Sequence, residues 1–347
     1  MKKTIIPLLL MVVLLGSCIK QNSELSKPIA ENKGKPTNEV GNGNPGGDKD
    51  YELVVMPDLQ NMSATTISSM FDWVVNQKRQ NNTQAVLTVG DLTFYATQSE
   101  FTNLVTNFNK LNTAGVPALP VIGNHDYIPN LYYIQNRIDQ IWNSYFGQTY
   151  FANKSYYGGC FNSSTANYFI NVDIGRTKFT FVGLEFFPRD TALGWAAKIA
   201  DSLSDRKIVI CTHAYIDETG VLSTDYGNPN SPGNSGSLAN YFTSEMDANN
   251  GQEMWTKLIS RHSNIVMVFS GHFIWGNSFT YLPGTGVNNN IVHQFMYNKQ
   301  EYSGGGNGNL LRLKFNPKKN KITISAYSPI TNTYDPEVPT FEVNYNF

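Results

Sequence analysis

Five short apolar runs in this chain each lead into side chains that can bind a metal ion or carry a proton. LVVMP runs into Asp58-Leu59-Gln60, AVLTV into Gly90-Asp91, PALPVI into Gly123-Asn124-His125-Asp126, KIVICT into His213, and NIVMVFS into Gly271-His272. Carboxylates, amide oxygens and imidazoles make a mixed oxygen and nitrogen donor set of the kind that holds divalent cations. A single Asp or His after a strand is usually a cap or a turn residue. Here three of the chain's five histidines fall at such tips, several behind a Gly that lets the backbone turn sharply, and the five tips together read as one site.

What must position them is a set of strands whose carboxyl ends meet. Apolar, β-branched runs are expected as strands at Leu53–Met56, Ala85–Val89, Ala118–Ile122, Tyr168–Val172, Phe179–Gly183, Lys207–Cys211 and Ile265–Phe269. Helical spacing between them predicts helices at Ile67–Gln80, Glu100–Leu111, Asn130–Phe146, Ala192–Leu203 and Glu253–Arg261. After Gly276 the pattern turns to strands without helices, at Ile291–Met296, Leu310–Phe315 and Lys321–Tyr327. Alternating βα units followed by a β-rich end predict an α/β fold of two packed sheets with helices outside. In open α/β sheets ligands bind at the carboxyl ends of strands, so the five tips should share one crevice. Two long polar loops stand apart. Residues 214–250 are expected to control access, and SGGGNGN at Ser303–Asn309 reads as a strand connector with only a weak phosphate-loop signal.

The order D, GD, GNHD, H, GH over residues 51–272 resembles the calcineurin-like metallophosphoesterase superfamily, and GNHD is its most specific element. The resemblance implies a four-layer α/β/β/α sandwich of two mixed sheets and a two-metal site that hydrolyses phosphate esters. Asp91 would bridge the two metals, Asp58 would bind the first, and Asn124, His213 and His272 would complete the second. His125 would sit by the leaving group as its acid, with Asp126 orienting it. Residue chemistry agrees. One carboxylate can hold two cations about 3.5 to 4 Å apart, a hydroxide held between them would be the nucleophile, and His125 could protonate the leaving oxygen.

Two positions depart from the family pattern, and both concern the first metal. The usual DxH has Gln60 in place of His, and the usual GHxH has Ile274. Gln60 can still coordinate through its amide oxygen, which with Asp58 and Asp91 makes an all-oxygen, thinned first site. Oxygen ligands favour Mg²⁺, Mn²⁺ or Ca²⁺, whereas His213 and His272 suit Zn²⁺, Mn²⁺ or Fe, so a mixed or weakly filled pair of divalent ions is expected. MPDLQN also looks like a secreted bacterial branch in which DxQ replaces DxH. Purple acid phosphatases carry a Tyr three residues after the GD aspartate. This chain has Phe94 there and Tyr95 one further, so no tyrosinate iron site is expected. His293 reads as a core-edge residue in preference to a substitute ligand, His262 as a helix C-terminal partner, and Cys160 and Cys211 as free thiols.

The N-terminus carries an address. Lys2 and Lys3 precede an apolar run from Ile5 to Leu15, too short to span a bilayer, and Gly16-Ser17 precede Cys18. The pattern resembles a bacterial lipobox, which implies a signal peptide at 1–17 and a lipid on Cys18; an ordinary secretory leader is the alternative. Residues 18–50 are polar and rich in Gly, Pro and Asn, and read as a flexible tether. Residues 51–347 would then be one metallophosphoesterase domain, expected to be monomeric and lipid-anchored in the bacterial cell envelope. With 26 basic against 27 acidic side chains, bulk nucleic-acid binding is excluded. The expected partner is a small-molecule, glycan or nucleotide phosphate ester. A non-catalytic metal- or ligand-binding lipoprotein on the same fold is the rival, and glycan capture by the many aromatics a weaker one.

Overall fold

A computed structural model describes residues 49–127, 137–225, 237–241 and 247–345. In chain order the elements are β1 (Tyr51–Met56), α1 (Ala64–Asn81), β2 (Thr83–Thr88), α2 (Gln98–Thr113), β3 (Ala118–Leu119), α3 (Gln140–Phe146), α4 (Gln148–Phe151), β4 (Tyr157–Phe161), β5 (Ser164–Ile174), β6 (Thr177–Gly183), α5 (Asp190–Ser202) and β7 (Lys207–Cys211). They continue with α6 (Leu238–Tyr241), α7 (Gly251–Lys257), β8 (Ile265–Ser270), β9 (Phe279–Tyr281), β10 (Gly284–Thr285), β11 (Ile291–Tyr297), α8 (Ser303–Gly306), β12 (Leu310–Asn316), β13 (Lys321–Ser328), β14 (Thr333–Tyr334) and β15 (Phe341–Asn344).

Two mixed sheets form. One runs β14-β13-β12-β1-β2-β3 with β15 beside β13, and the other runs β10-β11-β8-β7-β6-β5-β4 with β9 beside β11. Strands β1, β2 and β3 are parallel, as are β6, β7, β8 and β11, so the tips named above lie at the same ends of their strands. The alternation of side chains along a strand builds the layers. On β1, Leu53 and Val55 face the second sheet, packing in one core with Phe179, Phe181, Val209 and Phe269. Val54 and Met56 face the other way, against Met70, Phe71 and Val74 of α1 and Phe101, Leu104 and Phe108 of α2. The second sheet repeats the scheme outward, with Val182, Ile208, Ile210 and Val268 covered by Leu193, Ala196 and Ile199 of α5 and Met254 of α7. The result is the expected α/β/β/α sandwich. Truncating a fully buried aromatic such as Phe71 or Phe108 costs about 3–5 kcal/mol, so these layers are what hold the strand ends in place.

Some expectations shift. The helix predicted over Asn130–Phe146 is helical only from Gln140 within the described residues, and 128–136 lie outside them. Strand β4 was not anticipated. Its Gly158-Gly159 pair reads as a loop, but a Cβ on Gly158 would overlap the Phe169 ring that lies across it, so Gly is the residue this strand requires there. The β-rich end divides between the sheets, with β12 pairing antiparallel to β1 and β11 parallel to β8. Cys160 and Cys211 are free thiols. Cys18 and the other residues of 1–48 lie outside the described residues.

Candidate metal centre

The second of the two proposed metal positions is built around His213. Its Nδ1–H donates to the Val89 carbonyl at 2.7 Å, which leaves Nε2 of the neutral ring as a lone-pair donor. That nitrogen lies 3.0 Å from Asp91 Oδ2, 3.0 Å from Asn124 Oδ1 and 3.2 Å from His272 Nδ1. The donor atoms of Asp91, His213 and His272 all fall within 4.8 Å of one another, and all three residues are buried. Oxygens and a ring nitrogen aimed at a bare nitrogen repel one another unless positive charge sits among them, so this donor set fits a cation. The titration tendencies express the same demand. Burial works against a charged His213, but the Asp91 and Asp58 carboxyls outweigh it and raise the ring to about 9. Burial likewise opposes ionisation of Asp91, yet His213, His125 and His272 hold it down at about 2.

The first position presents oxygen only. Asp58 Oδ2 accepts from the His272 backbone N–H at 3.2 Å and from Asn298 Nδ2 at 2.8 Å, while Oδ1 is buried with no hydrogen-bond partner. Burial pushes Asp58 well above the usual carboxylate range and the Asp91 charge adds to that, so a cation beside it is what its ionised form requires. Gln60 donates through Nε2 to Gln300 Oε1, and its own Oε1 is buried without a partner. Orphaned buried acceptors on Asp58 and Gln60 are what an oxygen-ligated ion would satisfy. The backbone is shaped to bring these atoms together. Asp91 and His272 sit at φ 49° and 69°, uncommon for residues with a Cβ, and Asp91 is fixed there by the Leu59 and Gln60 N–H groups donating to its carbonyl. A Cβ on Gly123 would overlap Asp91 N and Oδ1, and one on Gly271 would overlap Asp58 Oδ1. Both glycines permit an approach no other residue could.

His125 lines the same cleft, which measures about 370 Å³ and is bounded also by Gln60, Asp91, Asn124 and His272. Its backbone N–H donates to Asp91 Oδ1 at 2.9 Å, and its Nδ1 lies 2.8 Å from the Phe94 carbonyl. The expectation that Asp126 orients this ring is corrected. The Asp126 carboxylate instead accepts from Gly123 N–H, Leu92 N–H, Thr93 N–H and the Thr93 hydroxyl, stitching the GD loop to the GNHD loop. Ring orientation comes from the Phe94 carbonyl, and α2 holds that loop. Glu100 accepts from the N–H groups of Phe94, Tyr95 and Thr97 and closes a capping box with Thr97. His293 is away from the centre, bridging Tyr281 OH and the Asn344 carbonyl. His262 lies against the Leu258 carbonyl, as a C-terminal partner should.

Asn298 and Gln300 are the residues that sequence reasoning missed. They follow β11, a sixth strand tip, and Asn-Lys-Gln directly after an apolar run was the available signal. Outer-shell partners of metal ligands typically tune affinity 10- to 100-fold. We expect Asn298→Ala to weaken Mn²⁺ binding by about that range, read by calorimetric titration, and an unchanged isotherm would remove it from the site.

The comparisons with known proteins join this geometry. A sequence model described as calcineurin-like phosphoesterase matches residues 52–276. The chain belongs to the calcineurin-like phosphoesterase family. A curated relative, an uncharacterized protein of Bacillus subtilis named YvnB, is 23% identical over 296 residues, covering 82% of this chain but 20% of its own, so the chain spans about a fifth of that relative's length. Among solved structures, a dimetal phosphatase from Danio rerio shares 10% identity at a TM-score of 0.50, covering 85% of this chain and 99% of its own. A purple acid phosphatase from yellow lupin (Lupinus luteus) seeds shares 11% identity at 0.51, covering 86% and 55%. At such identities these two neighbours show the fold alone. Membership of the calcineurin-like phosphoesterase family implies a two-metal site, and the donor sets above are where this chain provides for one.

Proposed function

We propose that this chain hydrolyses phosphate esters with two divalent cations, and that Asp91 serves both. The observation that carries the reading is the convergence of Asp91 Oδ2, Asn124 Oδ1 and His272 Nδ1 on His213 Nε2, the ring nitrogen that is not bonded to the Val89 carbonyl. Asp58, Gln60 and Asp91 would hold the first ion, and Asp91, Asn124, His213 and His272 the second. When bound, such ions supply Lewis-acid charge to phosphoryl oxygens and lower the pKa of water. The chain supplies the rest. Asp91 Oδ1 anchors the His125 backbone, which keeps the ring beside the donors, and the Phe94 carbonyl accepts a hydrogen bond from Nδ1–H. A protonated His125 then has Nε2–H to give to the departing ester oxygen. Asp126 maintains the two loops at a fixed separation.

General-acid catalysis contributes about 10²- to 10⁴-fold where the leaving oxygen needs a proton, so His125→Ala should lower kcat on an alkyl phosphate ester by that factor, with metal content unchanged by elemental analysis. Absence of turnover with every divalent metal tried would leave a non-catalytic binding protein on the same fold. Turnover undiminished in His125→Ala would remove the acid. The address signals support export and a lipid on Cys18, with 18–50 as tether and 51–347 as the hydrolase domain in the cell envelope. Incorporation of labelled fatty acid that persists in Cys18→Ser would overturn the anchor.

A further inference from the structure

The described residues that line the cleft carry no Lys or Arg. The internal stretches outside the described residues, 128–136, 226–236 and 242–246, hold none in their sequence either. Beside the metal and acid residues, Gln60 among them, the described lining is Asn61 and Gln300, then Phe94, Tyr241, Phe273, Ile274 and Trp275, and then Glu301. The aromatics continue outward from the ligands. Phe273 and Tyr241 have ring centroids 4.9 and 5.5 Å from that of His272, and Phe94 lies 5.3 Å from His125.

Trp275 stands at the rim. It is 62% exposed, and its backbone is held at φ 71°, a strained conformation for a large side chain. The backbone just after it is anchored. Asn277 N–H donates to the Glu218 carbonyl at 2.9 Å, and a Cβ on Gly276 would press on the same carbonyl. An exposed indole at the mouth of a cleft is a stacking surface for a planar group.

We propose that the cleft selects phosphodiesters carrying a planar substituent over phosphomonoesters, with Trp275 and Glu301 setting the selectivity. The inference rests on the hydrolytic reading above. A monoester carries about −1.5 to −2 charges at neutral pH, a diester about one. In a monoester the second charge enters a cleft whose described lining offers no cationic side chain and includes the acidic Glu301. In a diester an esterified group replaces that charge, and the aromatic wall receives it. Hydrolysis then forms one P–O bond from water and breaks one to the leaving alcohol or phenol, whose oxygen takes a proton from His125 or departs as the anion, while the second substituent stays on phosphorus.

Three probes share one leaving group: bis(4-nitrophenyl) phosphate, methyl 4-nitrophenyl phosphate and 4-nitrophenyl phosphate. With the Mn²⁺-loaded full chain, Trp275→Ala should lower kcat/KM for the bis-aryl ester about ten-fold and for the methyl ester less than about three-fold. Glu301→Gln should raise kcat/KM for the monoester several-fold relative to the methyl ester. Equal losses on both diesters in Trp275→Ala, or a monoester preferred over the methyl diester, would overturn the proposal. If no ester is turned over, hydrolysis itself fails and the selectivity is read by calorimetric binding to the same protein. About ten-fold tighter binding of the bis-aryl than the methyl ester, lost in Trp275→Ala, supports the stacking site; equal affinities sink it.

Discussion

Replacing Asp91 by Asn lowers kcat/KM on any phosphate ester by at least about 10³-fold, equivalent to roughly 4 kcal/mol of transition-state stabilisation, and reduces bound metal to one ion or fewer per chain. Asn keeps the volume and tolerates the left-handed backbone that Asp91 adopts at φ 49°, so the loop is expected to persist. What changes is charge and lone pairs. One side-chain oxygen of Asp91 accepts from the His125 N–H, and the other lies 3.0 Å from His213 Nε2. An Asn amide can satisfy the first only by turning its NH₂ toward the second, where it would donate to the nitrogen that should face a cation. The negative charge that the two proposed cations would share is lost as well. Elemental analysis and a steady-state assay, with a thermal melt to show that the fold is retained, give the result. Two ions per chain and a rate within ten-fold of the parent would end the bridging assignment.

The candidate ligands were legible because each follows a strand, and the pattern of an apolar run closed by Asp, Asn or His survives any rearrangement of the helices. Gln60 was legible as a departure, although its Gln300 partner lies 240 residues away and leaves no local trace. Asp126 was misassigned for a definite reason. Adjacency in sequence placed its carboxylate beside the His125 ring, whereas three of the four donors it binds are the backbone N–H groups of Gly123, Leu92 and Thr93, which no side-chain pattern marks. Asn298 was overlooked because the stretch after Gly276 read simply as strands. Only the parallel pairing of β11 with β8 reveals that its end points the same way as the GH tip. Two sheets with helices outside followed from the alternating βα units, and the four-layer sandwich from the family resemblance, but the division of the last strands between two sheets did not, since every one of them is apolar enough for either.

The largest effect on stability is expected far from the chemistry, at the opposite end of β1. Glu52 is 0% exposed and receives Arg312 Nε–H at 2.6 Å and the Thr83 hydroxyl at 3.1 Å. The Arg312 guanidinium lies over Trp73 of α1 and Tyr327 of β13, at 5.2 and 5.6 Å from the ring centroids. This one pair therefore ties β1, β2, β12 and β13 to the outer helix. Arg312→Met keeps much of the apolar stem but leaves a buried carboxylate facing a single neutral hydroxyl, and the cost of breaking such a pair is about 3–5 kcal/mol. The double variant Glu52→Gln with Arg312→Met removes the stranded charge and should recover most of that loss, because well-packed neutral replacements of a buried pair are often close to neutral in stability. Denaturant unfolding of the parent, the single and the double variant separates the two contributions. A single variant within 1 kcal/mol of the parent, or a double variant no more stable than the single, would mean that β1 is held by its packing and strand pairing without help from this charge pair. Catalysis at low temperature should be retained by both variants, since Glu52 lies at the start of β1 and Asp58 beyond its opposite end.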